Sequence, residues 1–384
     1  MEKAKKILYL TRYSLDQEFH LKKKFDGQLS AFSKLGFDVY YIAFDKSNLY
    51  LVHNDQKTVV GKTHFWFPSY LHTQFYNDLH KAAIKAIIAV GFDYLYWRSS
   101  PLFGSSCKVA ETAKSHGATF ILEIPTFPFR EAPLSRLRKW FSLYSNRFTD
   151  RYHSLIDAYV LIGEDAGGEY NGKPAINIEN GIDVNGIPVR KPVNDMNTIH
   201  ILALASMSYW HGYERIIKSL GEYKGSQNVM IHMVGGNEGG SLPEWKELTH
   251  QLNLDDRVIF HGSMTGEALD EMFDLCDIGV NSLAMYKKGF NVTMELKARE
   301  YISRGLPFFC AVDDPALSYA EKPMWLRIPN DDSIPDMNDI VEFALKMKND
   351  PTHVIVLRKL AEEHMTWEQQ YKKVFDRLEG EKMI

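Results

Sequence analysis

Cysteine is scarce in this chain, with three residues among 384, and their spacing argues against the common cysteine-based frameworks. Cys107, Cys276 and Cys310 lie far apart and form no CxxC pair, so neither a disulfide scaffold nor a zinc site is predicted. Cys276 and Cys310 fall in apolar runs, which favours buried free thiols in a reducing compartment.

Long hydrophobic runs and a strong excess of one charge are also missing. No segment approaches the length of a membrane span, and the first lysines lead into a short apolar strand instead of a signal-peptide core. We therefore expect a cytoplasmic protein. The formal net charge of −4 gives no reason to expect nucleic acid as a partner. No Ser-His-Asp order, metal-ligand cluster or suitably placed DxD triad stands out, so no metal is predicted.

The chain does contain a regular alternation of short apolar runs and helical patterns in both halves, typical of βαβ units with parallel sheets. Its length allows two domains of ordinary size. The alternation pauses from Val184 to Asn197, a polar stretch with two prolines that is typical of an interdomain linker. We predict an α/β fold with two Rossmann-like domains, 1–190 and 191–365, and a final helix in 366–384. Predicted strands are 7–11, 39–44, 94–97, 120–124, 158–162, 175–178, 199–205, 229–234, 258–260, 278–281 and 306–312.

The stretch from 291 to 312 carries the most informative local pattern. It predicts a helix with Asn291 as N-cap and Gly305 just past its end, followed by a buried strand from Leu306 to Val312. Glu300 and Arg304 share the polar face of that helix. The simplest interpretation is an ordinary i,i+4 pair on a helix surface.

A resemblance suggests a more specific role for this stretch. Residues 300–307, EYISRGLP, resemble the E-(A/Y)-M-A-x-G-x-P segment of glycosyltransferase family 4, a large retaining family with the GT-B fold. The family glutamate accepts hydrogen bonds from both ribose hydroxyls of a sugar nucleotide, which suits a carboxylate because its two oxygens can each accept one. The resemblance implies this role for Glu300. The variant LKAREY at 296–301 resembles the branch found among capsule and exopolysaccharide enzymes.

The resemblance also implies an architecture. GT-B enzymes place two Rossmann-like domains opposite each other across an active-site cleft, with nucleotide sugar on the second domain and acceptor on the first. They commonly end in a helix that crosses back to the first domain, often beginning near a tryptophan such as Trp367. The alternative for this last helix is a simple cap on the second sheet.

Several second-half residues are candidates for binding the donor diphosphate. Trp210-His211-Gly212 lies where a strand leads into a helix, and a helix N-terminus favours an anion. Relatives carry Lys-Gly at this point, so His211 is a candidate phosphate ligand with a weaker, pH-sensitive charge. Packing is the alternative for the Trp-His pair. The remaining candidates are Lys287 and Lys288 for the leaving diphosphate, Lys297 beside them, the turn at Gly235, and Phe260 on the strand that frames the nucleobase.

Lysines in loops and on helix surfaces are often only solvated, which is the alternative for Lys287, Lys288 and Lys297. In the first half, His20 and Lys22 lie where the family has its acceptor-side loop, although a basic solvated loop is the simpler account. Glu123 and Thr126 belong to EIPTFPF at 123–129, which resembles a segment of the capsule branch.

Two positions depart from the family pattern. Thr126 falls near where many relatives carry a histidine that contacts the donor sugar. Val292 stands where many carry a glutamate near the sugar ring, which weakens the catalytic case. Enzymes of this class are thought to let the departing phosphate help deprotonate the acceptor, so no protein nucleophile is obligatory.

The stretch from Arg130 to Tyr152 mixes basic and aromatic residues. Such a helix can lie on an anionic membrane surface, which would suit a lipid-linked acceptor and a location at the inner face of the plasma membrane. The alternative is a domain helix that buries its aromatics and exposes its charges.

These observations predict a glycosyltransferase that moves a sugar from a UDP- or GDP-linked donor to a glycan or lipid-linked glycan in polysaccharide biosynthesis. The nucleotide sugar is the substrate, and no separate cofactor is implied. Domain closure would exclude water from the reaction. Two other functions stay open: a nucleotide-sugar epimerase of the same fold, and a degenerate protein that binds a nucleotide sugar or glycan without turnover.

Overall fold

The computed structural model describes residues 3–15, 21–64, 73–128, 136–193, 195–320 and 324–381, with backbone alone for 136–143 and 145. The chain divides into two compact units. Unit 1 comprises Met1–Glu179 and Trp367–Ile384, and unit 2 comprises Asn180–Thr366.

Unit 1 is a three-layer α/β structure. Its strands are β1 Lys6–Ser14, β2 Asp38–Phe44, β3 Asn48–His53, β4 Gln56–Lys62, β5 Tyr94–Arg98, β6 Thr119–Phe127, β7 Ala158–Gly163, β8 Glu169–Tyr170 and β9 Lys173–Ile178. Within the described residues they form one sheet in the order β4-β3-β2-β1-β5-β6-β7-β9-β8. The central strands are parallel, and β3, β4 and β8 pair antiparallel with their neighbours. Its helices are α1 Lys22–Lys34, α2 Thr73–Val90, α3 Gly104–Ser115 and α4 Arg136–Leu155.

Unit 2 contains a second sheet, in which every described pairing is parallel. Its strands are β10 Thr198–Leu204, β11 Asn228–Val234, β12 Val258–Gly262, β13 Ile278–Val280, β14 Phe308–Cys310 and β15 Trp325–Arg327, in the order β12-β11-β10-β13-β14-β15. Its helices are α5 Glu214–Glu222, α6 Leu242–Gln251, α7 Glu267–Leu275, α8 Leu296–Arg304, α9 Met337–Lys348 and α10 His353–His364. Sheets covered on both faces bury their strands, which explains the apolar runs in the sequence.

The last helix, α11 Trp367–Glu381, packs within unit 1. The ring of Tyr371 stacks on Phe32 of α1 at 4.3 Å between centroids, and Phe375 lies 4.4 Å from Phe37. The side-chain oxygen of Gln370 accepts a hydrogen bond from the Glu179 N–H at 3.0 Å. The prediction that the final helix returns to the first domain is confirmed, and a cap on the second sheet is excluded.

The segment predicted as a linker is instead part of unit 2. Val184 is buried in its core. The Arg190 N–H donates to the Arg304 carbonyl at 2.9 Å, and the Val193 N–H donates to the Asp274 carbonyl at 3.1 Å. The polar composition of this segment reflects backbone and side-chain contacts with the surface of the unit, so the linker interpretation was wrong.

The start of α8 also differs from its prediction. Asn291 does not cap the helix, because residues 291–293 run alongside Asp313 as a short parallel bridge. The Thr293 N–H donates to the Asp313 carbonyl at 2.8 Å, and the Asp313 N–H donates to the Asn291 carbonyl at 2.8 Å. The helix therefore begins at Leu296. Its predicted end at Gly305 is confirmed, since this glycine adopts the left-handed conformation with φ of 81°.

All three cysteines are buried free thiols, as predicted for Cys276 and Cys310. Among the described residues, no helix has the length and apolar character needed to cross a membrane.

Candidate functional site

The loop that follows β10 is held against the loop that follows β13. It forms a single 3-10 turn at Tyr209–His211 and then reaches Gly212. The Leu283 N–H donates to the His211 carbonyl at 2.8 Å, and the Ala284 N–H donates to the Trp210 carbonyl at 3.2 Å. These bonds place the two loops together at the carboxyl ends of neighbouring parallel strands, where α/β proteins bind ligands.

Gly212 is required by this close approach. Its φ is 66°, and a Cβ built on it would lie 2.6 Å from the Ala284 Cβ and 2.9 Å from the Ala284 nitrogen. Any side chain would therefore push the loops apart as well as strain the backbone. The structure thus explains why a glycine is needed at position 212, which the sequence pattern did not show.

His211 is buried, and burial lowers its pKa to about 2, helped by the positive charges of Lys297 and Lys288. Its Nδ1 accepts a hydrogen bond from the Ser208 N–H at 3.0 Å, so in the neutral ring the proton is on Nε2. The expected pH-sensitive charge on His211 is therefore wrong, because desolvation penalises the charged imidazolium. The residue offers a neutral N–H donor.

Lys297 lies between the ends of β10 and β13. Its Nζ donates to the Tyr213 hydroxyl at 3.1 Å, and that oxygen lies 3.2 Å from the Leu204 carbonyl and 3.3 Å from the Val280 carbonyl. Burial lowers the pKa of Lys297 to about 8, partly offset by Glu295. The side chain is half-buried and hydrogen-bonded to Tyr213, unlike the solvated surface lysine that was its alternative.

The two lysines of the loop 285–290 differ in their surroundings. Lys288 places its Nζ 4.4 Å from the centre of the Trp210 ring, in cation–π contact. Lys287 forms an ion pair with Glu214 at 2.6 Å. Since the charge of Lys287 is already compensated, Lys288 and Lys297 are the stronger cations of this cluster.

Glu300 does form the i,i+4 pair, though in a largely buried setting. Its Oε1 accepts from Arg304 at 3.2 Å. The Arg304 side chain is 5% exposed, reaches Asp270 at 2.6 Å and lies 4.3 Å from the centre of the Phe273 ring. These contacts fix the Glu300 carboxylate in place on α8.

Gly235 and Phe260 complete the predicted donor residues. Gly235 has φ of 139°, and a Cβ there would fall 1.6 Å from the Ala205 carbonyl oxygen. The glycine is thus required by the backbone at the end of β10, whether or not a ligand is bound. Phe260 is half-buried on β12, with Lys246 Nζ 5.6 Å from the centre of its ring.

Sequence reasoning missed two buried contacts that support this site. Arg299 is fully buried and binds Asp314 through two nitrogens at 2.6 and 2.9 Å. Glu295 accepts from the Ser282 hydroxyl at 2.5 Å and from the Ser282 N–H at 3.2 Å. Two signals in the sequence pointed to Arg299, its place in the LKAREY motif and its i,i+3 spacing from Ile302, but neither indicated its buried partner.

The residues predicted on the acceptor side are in unit 1. Glu123 is fully buried and accepts from Gln28 at 2.9 Å, from Tyr96 at 2.9 Å and from Arg98 at 3.2 Å. It therefore stabilises the interior around the middle of β6. Burial also lowers the pKa of nearby Lys24 to about 8.

The other acceptor-side candidates lie nearer the surface. Thr126 is exposed, and its hydroxyl donates to the Pro125 carbonyl at 2.9 Å. Lys22 contacts Asp26 at 2.8 Å and the Tyr13 hydroxyl at 3.1 Å. His20 lies outside the described residues.

The basic aromatic helix packs on unit 1 over its described carboxyl-terminal half. Tyr152 is buried, with its ring 5.7 Å from Trp97. Arg151 pairs with Glu111 at 2.5 Å. The side chains of 136–143 and 145 lie outside the described set. For the described half, burial of aromatics favours the packing alternative.

Solved structures show the class to which this fold belongs. Sucrose-phosphate synthase from Thermosynechococcus elongatus matches with a TM-score of 0.63 at 13% identity, covering 98% of this chain and 99% of that chain. The Anabaena protein HepE, in complex with UDP and glucose, matches with a TM-score of 0.60 at 14% identity. The match covers 98% of this chain and 100% of that chain. The catalytic domain of starch synthase IV from Arabidopsis thaliana, bound to ADP and acarbose, matches with a TM-score of 0.64 at 10% identity. The match covers 98% of this chain and 99% of that chain. The fold is that of the GT-B glycosyltransferases, as predicted.

The sequence comparison is narrower and agrees. Residues 189–302 match the family model described as glycosyl transferases group 1. This range contains the cluster around Gly212, Lys288, Lys297 and Glu300. A search of curated protein sequences found no match. The matched domain and the fold together support a glycosyltransferase.

Proposed function

We propose that this chain transfers a sugar from a nucleotide-sugar donor bound in unit 2. The observation that carries the proposal is the cluster of Lys288, Lys297 and the neutral His211 at the ends of β10 and β13. It lies inside the range matched by the glycosyltransferase model. Two ammonium groups and an N–H donor suit a leaving diphosphate, whose charge increases as the sugar bond breaks.

Partial burial makes Lys297 more effective. A charge at a desolvated site interacts more strongly than one in water, because less solvent screens it. The pKa of Lys297, lowered to about 8 by burial, reflects a cost that a bound diphosphate would offset. We assign Lys297 and Lys288 to the diphosphate, His211 to a phosphate oxygen through Nε2–H, and Lys287 to a supporting position beside Glu214.

We assign Glu300 to the ribose hydroxyls of the donor. The pair with Arg304, itself anchored by Asp270, holds the carboxylate in one orientation. A carboxylate fixed in this way can accept from a vicinal diol without first losing side-chain freedom. Trp210, Gly212, Gly235 and Phe260 would line the remainder of the donor site.

The finer assignment is a retaining, metal-independent hexosyltransferase of the family-4 type. HepE binds UDP and UDP-glucose, and the starch synthase IV domain binds ADP. We propose a UDP- or GDP-linked donor and a glycan or lipid-linked acceptor in polysaccharide biosynthesis. The protein would act in the cytoplasm, with peripheral contact to the inner face of the plasma membrane.

The first test is a thermal-shift panel of UDP-, GDP-, ADP- and TDP-sugars with the wild type and Glu300→Ala. We expect one nucleotide class to stabilise the wild type and to lose most of this effect in the variant. Glu362→Ala is the matched control, because Glu362 also forms an i,i+4 pair with an arginine, Arg358, at 2.7 Å. An equal response of Glu300→Ala and Glu362→Ala would remove Glu300 from the donor site.

A second measurement separates transfer from binding alone. With the stabilising donor, release of nucleoside diphosphate that depends on an added glycan acceptor would support transfer. Conversion of the donor sugar without acceptor would indicate an epimerase. Donor binding without either reaction, across glycan and lipid-linked acceptors, would indicate a binding protein. In that case Val292, in place of a carboxylate, would be the first position to restore as Val292→Glu.

A further inference from the structure

A cavity of about 660 Å³ lies in unit 1 between α2, α3 and α4. It is separate in sequence from the donor cluster, all of whose residues belong to unit 2. Among the described residues that line it, none is acidic. A hollow of this size is large enough for a small organic ligand.

The cavity wall is cationic. Lys81 of α2 and Lys108 of α3 both line it, and neither ammonium group forms an ion pair with any residue the structure describes. Arg151 of α4 also lines the cavity, although Glu111 at 2.5 Å compensates its charge. Two uncompensated positive charges therefore face the same space.

Neutral hydrogen-bond donors lie beside these lysines. Gly104 and Ser105 open α3 at the cavity, and the first turn of a helix has N–H groups without intrahelical partners. The Ser105 hydroxyl donates to Asn77 Oδ1 at 2.7 Å, so its oxygen accepts from His80 Nδ1 at 2.8 Å. This chain orients Asn77, which also lines the cavity.

His80 holds this chain from the protein interior. It is fully buried, and burial lowers its pKa to about 3. With Nδ1 donating to Ser105, its Nε2 is an acceptor, and this atom has no hydrogen-bond partner among the described residues. An acceptor offers no hydrogen bond to an anion, so His80 orients Ser105 and does not itself contact a phosphate.

Part of the wall is apolar. Ile84, Phe103 and Phe148 line it together with Tyr144. Phe148 and Tyr144 contact each other at 5.4 Å between ring centres, and Phe148 lies against Gly104. The cavity wall thus combines cationic and hydrogen-bond-donor groups with aromatic and aliphatic surface.

We propose that this cavity binds a phosphate monoester that carries an apolar chain. The phosphate, with a charge of about −1.5 to −2 at neutral pH, matches Lys81, Lys108 and the first turn of α3. Its chain packs on the apolar wall. A soluble amphiphile and a lipid headgroup share this chemistry, and binding to either does not depend on glycosyl transfer.

The test is calorimetric titration of the full chain with decyl phosphate below its micelle concentration. We expect saturable 1:1 binding, with inorganic phosphate at least about tenfold weaker because it lacks the apolar contact. Decyl maltoside carries the same chain without the charge and should also bind weakly. Equal binding of decyl maltoside and decyl phosphate would overturn the proposal.

Variants locate the binding to this cavity. Lys81→Gln and Lys108→Gln should each weaken decyl phosphate binding by about tenfold, since each removes a charge-assisted contact. Lys85→Gln is the matched control, because Lys85 lies one turn along α2, is exposed and is absent from the cavity wall. If both cavity variants bind as tightly as Lys85→Gln, the site is not this cavity.

Two further measurements complete the design. Melting temperatures of the unliganded variants establish that each is folded. Flotation with phosphatidylcholine vesicles, with and without phosphatidic acid, distinguishes the ligand sources. Binding to phosphatidic acid vesicles that is lost in the cavity variants indicates a lipid headgroup. Binding of decyl phosphate without binding to these vesicles indicates a soluble ligand.

Discussion

The Nζ of Lys297 lies 3.1 Å from the hydroxyl oxygen of Tyr213, and that oxygen is within 3.3 Å of carbonyls that end two adjacent strands. The phenol thus holds the ammonium group over the carboxyl edge of the sheet. Burial of Lys297 lowers its pKa to about 8, so we expect donor binding at this residue to weaken at alkaline pH.

Lys297→Met should weaken donor binding by about tenfold to a hundredfold, as expected for loss of one or more charge-assisted hydrogen bonds. The measurement is a titration with the stabilising nucleotide sugar. Lys218→Met, which removes an exposed lysine from α5, is the control and should bind normally. Equal affinity in the two variants would place the diphosphate elsewhere.

The pH dependence of donor binding follows from the same residue. A bound diphosphate favours the protonated lysine, so the pKa of Lys297 rises on binding and the complex takes up a proton above pH 8. Affinity should therefore fall as pH rises from about 8 to 10, by at most about tenfold per pH unit. In Lys297→Met this fall of affinity with rising pH should disappear. An unchanged fall in the variant would assign the pH dependence to another group.

Gly212→Ala should destabilise the protein by about 2–4 kcal/mol, because left-handed strain adds to overpacking against Ala284. Gly262→Ala is the control: its φ is 75°, but a Cβ there would contact nothing within 4 Å. It should cost only the strain, about 1–2 kcal/mol. Urea unfolding measures both, and equal losses would show that the two loops separate easily.

Arg299→Met should cost about 3–5 kcal/mol, because it leaves the Asp314 carboxylate buried without its partner. The double variant Arg299→Met/Asp314→Asn should recover part of this loss, since no buried charge then remains. Lys359→Met is the control, because it breaks an exposed ion pair, that between Lys359 and Glu363. It should change the free energy of unfolding by less than about 1 kcal/mol. A double variant no more stable than Arg299→Met would show that packing, not charge, dominates.

Three histidines on adjacent strands predict sensitivity to acid. His232 lies between His200 at 2.9 Å and His261 at 3.0 Å, and burial lowers the pKa of all three, that of His232 to about 4. The charges of Asp277 and Asp195 oppose the lowering of the pKa of His200, and that of Lys348 adds to it. The unfolded chain thus binds more protons than the folded one between pH 6.5 and 4, so stability is lost as pH falls.

His232→Gln should reduce the slope of the free energy of unfolding against pH. That slope is at most about 1.4 kcal/mol per pH unit for each proton. Chemical unfolding between pH 7 and 4.5 measures it. His250→Gln, which changes an exposed histidine beside Asp255, should leave the slope unchanged. Identical slopes in all three proteins would exclude the histidine row as its source.

The fold was largely predictable because both sheets have strands buried on both faces. β10 (Thr198–Leu204) was predicted at 199–205, and β11 (Asn228–Val234) at 229–234. β15 (Trp325–Arg327) was missed, because three partly exposed residues carry no periodic signal. The start of α8 was missed because a bridge to Asp313, distant in sequence from Val292, extends the preceding chain.

The residues of the candidate site were predictable from the sequence. Their protonation, ion pairing and burial were less so. Motif and position selected His211, Lys287 and Lys297. The neutral ring of His211, the pairing of Lys287 with Glu214 and the desolvation of Lys297 depend on neighbours from other segments. Arg299 belongs to the LKAREY motif, but its burial was not predicted, because the sequence does not show that Asp314 is its partner.

By itself, the sequence determined the alternation of strands and helices, the helix end at Gly305 and the chemical groups available in unit 2. These depend on local periodicity and backbone preference, which act over a few residues. Only the tertiary structure decided which charges are buried, which are paired and which glycines have no space for a side chain. Those properties arise from contacts between segments distant in the chain, where desolvation and close packing set the free energy.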